Sequence, residues 1–309
     1  MSFEKALSLV NVNKIYKGGL HAVKDISFDV YPGDFFALLG PNGAGKSTTL
    51  GMISSLVNKT SGSIEVCGFD TVKDAYMARK HLGVMPQEVN VNVFETPLQI
   101  LLTQSGFFGI SRNETVPYAE KLLKDMALWD KKDTQVRFLS GGMKRRLMVA
   151  RALVHKPKVL ILDEPTAGVD VELRQILWQQ IKALNDRGLT IILTTHYLEE
   201  AESMCNRIAL IHNGKLHISS DMKTFLRSVE KETYVFDLKQ PISMNKFSCE
   251  YGQFTVVDQM TLEIEVGKDV SLNQLFAGLS EQNIEVISVK SKTNKLEKLF
   301  IDVAREKVW

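Results

Sequence analysis

From residue 6 to about residue 220, short runs of β-type residues alternate with longer stretches of helical spacing. Short apolar runs predict strands, and apolar residues that recur every three or four positions predict helices. This alternation is typical of an α/β sheet covered by helices. The predicted strands are ISFDV, FFALL, SIEVCG, LGVMP, KVLILD, TIILTTH and RIALIH, and the predicted helices span 46–56, 112–127, 142–154 and 171–187.

Two segments depart from this rhythm. Residues 88–155 carry helical spacing without a convincing buried strand, which predicts a helical insert in the α/β core. Beyond residue 225 the order changes to alternating strand patterns with two helix-like stretches, which indicates a small α+β unit. We therefore expect a large domain over residues 1–225 and an accessory domain over 226–309.

Composition places the chain among ordinary globular proteins. Hydrophobic residues make up 44%, charged residues 24%, and the net charge of +2 gives no electrostatic reason to expect nucleic acid as a partner. Cys67, Cys205 and Cys249 stand singly, which argues against a disulfide framework or a zinc site. No apolar run has the length of a membrane span, so we expect a cytosolic chain that does not cross a bilayer by itself.

The segment FFALLGPNGAGKSTTL predicts a buried strand, a glycine loop and a helix start, and it contains the pattern G-x-x-x-x-G-K-S. Glycines in such a loop allow backbone N–H groups to converge on phosphate oxygens, while Lys46 reaches the β- and γ-phosphates and Ser47 can bind Mg²⁺. The predicted nucleotide-binding residues here are Gly40, Pro41, Asn42, Gly43, Ala44, Gly45, Lys46, Ser47 and Thr48.

Two carboxylates follow the buried run VLIL, 117 positions after Lys46. Asp163, at the end of this predicted strand, is placed to hold the metal ion. Glu164 can polarise a water for attack on the γ-phosphate, the alternative being an ordinary solvated strand end. His196 ends the predicted strand TIILTTH, and Gln87 follows LGVMP, where its amide oxygen can reach Mg²⁺ or the attacking water. Ligands of such sheets collect at these strand ends.

A second glycine segment, LSGGMKRRL at residues 139–147, predicts a helix start that favours anions. Ser140, Gly141 and Gly142 are its candidate phosphate-binding residues. For the basic side chains that follow, a solvated helical face with some contact to nearby carboxylates is the preferred interpretation, with assistance to phosphate binding as the alternative. This basic cluster consists of Lys144, Arg145, Arg146 and Arg151.

Order and spacing of these motifs across residues 5–220 resemble the ATP-binding subunit of ABC transporters, a P-loop NTPase fold with a helical subdomain. The resemblance implies that Tyr16, 24 positions before Gly40, stacks on adenine and that Gln87 senses Mg²⁺ and the membrane partner. It also implies that Glu164 is the catalytic base, that His196 contacts the γ-phosphate, and that Asp170 crosses to a second subunit.

The same resemblance implies the cofactors ATP and Mg²⁺ and a dimer of two copies that sandwiches two ATP molecules. Each ATP is then held between the Gly40–Thr48 loop of one copy and the LSGG segment of the other. Met143, where many members have Gln, and AGVD in place of SALD resemble the ABC-2 type exporter branch. Neither departure removes a phosphate-binding group, so we expect the chain to be active.

Such a subunit implies a separately encoded permease with about six transmembrane helices, and a peripheral position at the cytoplasmic face of the inner membrane. The sequence suggests docking near Gln87, because apolar residues there exceed what a short helix needs for packing, although packing alone is the alternative. The residues concerned are Phe94, Leu98, Ile100 and Leu101.

Soluble ABC ATPases form the rival class. Chromosome-type members carry a long coiled coil between the two phosphate motifs, whereas Lys46 and Ser140 are 94 positions apart here without a heptad run. Translation-type members carry two ATPase sets in one chain, and this chain has one. A regulatory ATP binder without turnover stays open at this point.

Overall fold

The computed structural model describes residues 4–228, 231–242, 252–292 and 294–304. The chain divides into two compact units, residues 1–221 and residues 222–309, and each is described by itself. Cys249 and residues 305–309, which include the end of the helix-like segment LEKLFIDVAREK, lie outside the described residues. In the first unit the strands are β1 Leu7–Ile15, β2 His21–Val30, β3 Phe35–Leu39, β4 Ser61–Val66, β5 Phe69–Asp70, β6 Leu82–Met85, β7 Val159–Asp163, β8 Thr190–Thr194, β9 Arg207–His212 and β10 Lys215–Asp221, and the α-helices are α1 Lys46–Ile53, α2 Ala75–Lys80, α3 Pro97–Gly106, α4 Arg112–Asp125, α5 Gly141–Leu153, α6 Val171–Asp186 and α7 Leu198–Met204.

A six-stranded sheet in the order β10-β9-β3-β8-β7-β6 forms the centre of this unit. All its strands are parallel except β10, which pairs antiparallel with β9. Every residue of β3 and β8 is buried, and only the last residue of β7 is partly exposed. Uninterrupted apolar strands of this kind are stable only where both faces of the sheet are covered.

A second, antiparallel sheet in the order β2-β1-β4-β5 lies against the first. It contains ISFDV and SIEVCG, so the expectation that these segments belong to the central α/β sheet was wrong. The physical reason is visible in their alternation: Ile26, Phe28 and Val30 are buried, whereas the intervening residues face outward. The sheets share a core in which the rings of Phe28 and Phe36 stack at 5.3 Å.

Residues 88–155 contain α3, α4, α5 and two short 3₁₀ turns, Trp129–Lys131 and Val136–Phe138. Local sequence explains where these helices begin. Thr96 and Gln99 form a reciprocal capping box at the start of α3, and the Ser111 hydroxyl accepts from the backbone N–H of Glu114 at the start of α4. The buried residues of α5 are mostly apolar and pack against α3, α4 and β6.

The second unit is α+β, with a four-stranded antiparallel sheet in the order β12-β13-β11-β14. Its core contains Phe236, Leu262 and Ile264 from the sheet and Leu275 and Leu279 from a helix. Sequence patterning did not identify β12, which has no fully buried residue. The elements are α8 Met222–Arg227, β11 Lys231–Leu238, β12 Gly252–Asp258, β13 Thr261–Gly267, α9 Leu272–Glu281, β14 Val286–Ser291 and α10 Lys295–Ala304.

Among the described residues of both units, no helix is long and apolar enough to span a membrane.

A buried histidine makes the stability of the first unit depend on pH. The His155 ring stacks on Phe108 at 3.8 Å, and Nε2 lies 3.0 Å from the Leu82 carbonyl oxygen. Burial lowers the pKa of His155 to about 4 from its ordinary value of 6.5. Since the folded-state pKa is the lower one, the unfolded chain binds the proton more readily, and stability is lost as pH falls from 6.5 toward 4.

We predict that His155→Gln, which keeps an N–H donor for Leu82 but does not titrate, flattens this dependence. Urea unfolding at pH 7.5 and pH 5 measures it. Wild type should lose about 2 kcal/mol more than the variant between these values, at about 1.4 kcal/mol per pH unit below 6.5. Equal losses in the two proteins would contradict the assignment.

Candidate functional site

The glycine loop lies between the end of β3 and the start of α1, and its backbone excludes side chains at two positions. Gly40 and Gly45 have φ angles of +156° and +108°. A Cβ at Gly40 would lie 2.1 Å from the Ile211 carbonyl oxygen, and one at Gly45 would lie 2.7 Å from that of Ala22. The loop therefore packs its backbone directly on the neighbouring chain segments, as a phosphate cradle requires.

Lys46 begins α1 and turns its ammonium group back into the loop. Its Nζ donates to the carbonyl oxygens of Gly40 at 2.6 Å and Pro41 at 3.1 Å. Burial lowers the pKa of Lys46, while the negative charges of Glu164 and Asp163 oppose that shift. A buried cation held mainly by neutral carbonyl groups is poorly compensated, so it favours an added anion such as phosphate.

Asp163 ends β7 beside Thr194 of β8, whose hydroxyl donates to Asp163 Oδ1. Burial raises the pKa of Asp163, an effect that the Thr194 hydrogen bond and the positive charges of Lys46 and Arg145 reduce. This carboxylate is therefore short of positive charge. Sequence reasoning missed Thr194, although it stands two positions before His196 in TIILTTH.

Two of the three predicted catalytic residues, Gln87 and His196, approach the same carboxylate oxygen of the third, Glu164. Gln87 Nε2 donates to Glu164 Oε2 at 2.9 Å, and His196 Nδ1 lies 3.5 Å from the same oxygen. Glu164 has a left-handed φ of +48°, and its backbone N–H donates to the Thr194 carbonyl oxygen at 3.0 Å. β8 ends at Thr194, so His196 stands two residues beyond the strand that was expected to contain it.

Tyr16 lies next to the glycine loop, with its hydroxyl oxygen 3.3 Å from Thr48 Oγ1. Tyr16 as a whole is 37% exposed, and Lys14 Nζ lies 4.8 Å from the centre of its ring. The ring is thus held at the loop with part of its surface accessible, which is what stacking with a nucleobase needs.

The LSGG segment forms the N-terminus of α5. The Ser140 hydroxyl accepts from the Met143 N–H at 3.3 Å, and Gly141 has open space where a Cβ would stand. At Gly142 a Cβ would lie 2.7 Å from Leu173 Cδ1, so this glycine allows α5 to pack on α6. Asp170 precedes α6, is exposed and makes no side-chain capping bond. Within the described residues, no hydrogen bond or ion pair joins Ser140 or Asp170 to the loop 40–48.

Three of the four side chains in the basic cluster, Arg145, Arg146 and Arg151, do not form the solvated helical face that the sequence suggested. Arg145 donates to the carbonyl oxygens of Gln87 and, at 3.3 Å, Ala167, and so joins the two loops that hold Gln87 and Glu164. Arg146 is buried and donates at 2.9 Å to the Met126 carbonyl oxygen, and Arg151 binds Asn90. Backbone carbonyls of distant loops explain why these side chains leave solvent; such partners have no signature in sequence spacing.

The residues at the strand ends and at the start of α1 fit a magnesium nucleotide. Ser47, Asp163 and Gln87 offer hydroxyl, carboxylate and amide oxygens, the ligand types that Mg²⁺ prefers, and the uncompensated charges of Lys46 and Asp163 match an anion and a cation. When bound, Mg²⁺ would offset the negative charge of the phosphate oxygens. Fold and site together define a P-loop ATPase.

Comparison with known proteins gives the family. The family described as ABC transporter matches residues 23–167. The chain is 35% identical to the linearmycin resistance ATP-binding protein LnrL of Bacillus subtilis, over 96% of this chain and 97% of that protein. It is 44% identical to the Nod factor export ATP-binding protein I of Cupriavidus metallidurans, over 68% of this chain and 69% of that protein.

Solved structures agree. CbiO1 from Clostridium perfringens, part of an ABC transporter complex, is 27% identical with a TM-score of 0.66, covering 73% of this chain and 92% of that one. A dimeric ATP-binding cassette in a post-hydrolysis state with ADP and Pi is 28% identical with a TM-score of 0.63, covering 70% and 98%. The chain belongs to the ATP-binding subunits of ABC transporters and is an ATPase that uses ATP and Mg²⁺.

We predict that Asp163→Asn weakens the binding of MgATP and raises the thermal stability of the protein without nucleotide. A carboxyl whose folded-state pKa is raised loses free energy on ionising in the folded state, so at neutral pH a neutral amide removes that cost. Without nucleotide, the Tm of the variant should therefore be higher than that of wild type. The further Tm increase that MgATP gives wild type should be lost.

Thermal unfolding with and without MgATP measures both effects. Asp130→Asn, at an exposed carboxylate, is the matched control and should behave as wild type. An unchanged or lower Tm for Asp163→Asn without nucleotide would count against the electrostatic account of this site.

Proposed function

We propose that this chain is the ATPase subunit of an ABC-2 type exporter, in which two copies drive a separately encoded permease of about six transmembrane helices. The subunit would lie peripherally at the cytoplasmic face of the inner membrane. ATP hydrolysis is supported by one observation: Gln87 and His196 both approach the carboxylate of Glu164, whose negative charge also acts on Lys46. The direction of transport rests on relatives whose names refer to export and resistance.

In the proposed reaction Glu164 accepts a proton from the water that attacks the γ-phosphate. Its carboxylate is 19% exposed, so one side is reachable by water while Gln87 and His196 orient the other. Lys46 balances charge on the transferred phosphoryl group, and the N–H groups at the start of α1 receive the phosphate oxygens. Asp163, Ser47 and Gln87 would hold the metal ion.

The proposed dimer is supported by groups that, within the described part of one chain, make no hydrogen bond or ion pair with its own phosphate-binding segment 40–48. Ser140 and Gly141 open a helix N-terminus, which attracts anions, and Asp170, which precedes α6, is also exposed. We propose that they complete the ATP site of a second copy, each copy supplying the Gly40–Thr48 loop to the other. ATP then stabilises the closed dimer, and its hydrolysis releases it.

A cavity of about 170 Å³ near the helical insert supports a docking surface for the permease, lined by Ser54, Arg79, Leu82, Val84, Gln104, Phe108, Arg151, Ala152 and His155. Of the apolar residues that suggested docking, Ile100 and Leu101 are buried in the core, so packing alone accounts for them. Leu98 is partly exposed and Phe94 is 64% exposed, so both can contact a partner, and neither lines the cavity. We propose that the permease binds at this cavity.

We predict that Glu164→Gln traps the ATP-bound dimer, because the amide cannot accept the proton while the nucleotide contacts stay in place. Phosphate release should fall by at least about a hundredfold, and size-exclusion chromatography with MgATP should show a dimer. Glu88→Gln, an exposed neighbour of Gln87, is the control and should keep wild-type turnover. A variant that stays monomeric with MgATP would refute the sandwich, and absence of phosphate release from wild type would indicate a regulatory ATP binder.

We also predict that Arg79→Glu weakens permease binding, because it reverses an exposed charge at the cavity rim. The tagged chain would be recovered from detergent-solubilised membranes of its own host and its partners identified by mass spectrometry. Wild type and the control Arg112→Glu, exposed on α4 and not part of the cavity lining, should retain a polytopic partner. Recovery of wild type without any polytopic protein would refute the proposal, and equal recovery with Arg79→Glu would exclude this surface.

A further inference from the structure

One buried carboxylate stands outside the residues assigned so far. Glu200 belongs to α7, is 9% exposed, and accepts hydrogen bonds from three side chains. The Thr166 hydroxyl lies 3.0 Å from Oε1 and 2.9 Å from Oε2, Trp178 Nε1 lies 2.9 Å from Oε1, and the Thr195 hydroxyl lies 3.1 Å from Oε2. Arg174 Nε adds a positive charge 3.6 Å from Oε1.

These partners come from the segments that carry the reaction. Thr166 lies two residues after Glu164, in the loop that ends at Asp170, and Thr195 directly precedes His196. Trp178 and Arg174 belong to α6, the helix that follows Asp170. A single carboxylate thus joins the loop after the proposed base, the residue before the proposed γ-phosphate contact, and the helix beyond both.

A second set of contacts leads from the same carboxylate to His196 itself. The Arg174 guanidinium lies 4.1 Å from the centre of the Tyr197 ring, a cation–π contact. The Tyr197 ring lies 4.0 Å from the His196 ring. The Tyr197 backbone N–H also donates to the Thr195 hydroxyl at 3.0 Å, so the backbone on both sides of His196 is fixed through groups that contact Glu200 or its partners.

Packing of α7 alone does not explain this arrangement. An apolar residue would bury the helix at lower cost, because a buried carboxylate is tolerated only where its oxygens are well supplied with donors. All four side-chain partners of Glu200 stand on other segments, and both of its oxygens are used. The carboxylate is therefore suited to fixing distant loops relative to one another.

We propose that Glu200 is a positioning residue for ATP hydrolysis, which holds the 164–170 loop and His196 in register with each other. The inference rests on the roles proposed for Glu164 and His196. Glu200 does not touch the reacting atoms; through Thr166 and Thr195 it fixes the segments whose side chains do. Displacements of about 1 Å in such groups reduce turnover about a hundredfold without removing any nucleotide contact.

Glu200→Gln tests the proposal, because it preserves shape but replaces an acceptor oxygen by an NH₂ group. We expect the kcat of the full chain to fall by about ten- to a hundredfold while the KM for ATP stays within about twofold. Amide hydrogen exchange should rise together in segments 164–170 and 194–198. The matched control is Glu199→Gln, the exposed neighbour on α7, which should change none of these quantities.

Thr166→Val and Thr195→Val remove one hydroxyl each and keep the proposal testable if Glu200→Gln does not fold. Their effects on kcat should be coupled, with the double variant differing by more than about threefold from the product of the single effects. Independent effects, or a folded Glu200→Gln with wild-type kcat and exchange, would overturn the proposal. If Glu164→Gln and His196→Ala also kept full turnover, the proposed catalytic roles themselves would fail, an outcome distinct from failure at Glu200 alone.

Discussion

The pairing of β7 with β8 is the constraint on which the site depends. Its register sets Asp163 opposite Thr194, so the residues that follow leave the sheet side by side. Glu164 then binds the Thr194 carbonyl oxygen, and His196 comes within reach of the Glu164 carboxylate. Because both strands are buried on both faces, a shift in register would move the whole core, and the relative position of these side chains is correspondingly rigid.

The site is electrostatically incomplete as the chain folds. Burial lowers the pKa of Lys46 and raises that of Asp163, so each charge is less stable than it would be in water. Lys46 neutralises the charge of Asp163 only in part, because its ammonium group donates hydrogen bonds to the carbonyl oxygens of Gly40 and Pro41. A magnesium nucleotide supplies a cation for Asp163 and an anion for Lys46. Burial of these two charges lowers the stability of the unliganded protein, and binding of the nucleotide stabilises it again.

The sequence predicted the buried strands and the residues at their ends, but it did not predict the side-chain contacts that join those residues. Uninterrupted runs such as FFALL gave the buried parallel strands, and fixed spacing within the motifs located the loop 40–48 and the Asp163–Glu164 pair. The alternation in ISFDV was available as a sign of the separate antiparallel sheet but was outweighed by the α/β rhythm. The contacts of Arg145 and Glu200 were not predicted. Their partners Gln87 and Thr166 lie 58 and 34 positions away in the sequence, and contacts of this kind do not recur at a regular spacing.

Arg145 and Glu200 also bear on how ATP could drive movement. Arg145 ties Gln87 to Ala167, and Glu200 ties Thr166 to Thr195, so the 164–170 loop is held from two sides by different segments. A ligand shifts a conformational equilibrium only by the difference in its affinity for the two states. In the proposed dimer that difference comes from Ser140 and Gly141 of the second copy, which bind phosphate only when the copies close. Because Arg145 joins the 164–170 loop to Gln87 beside the insert, the proposed closure at the nucleotide would also displace the proposed permease surface.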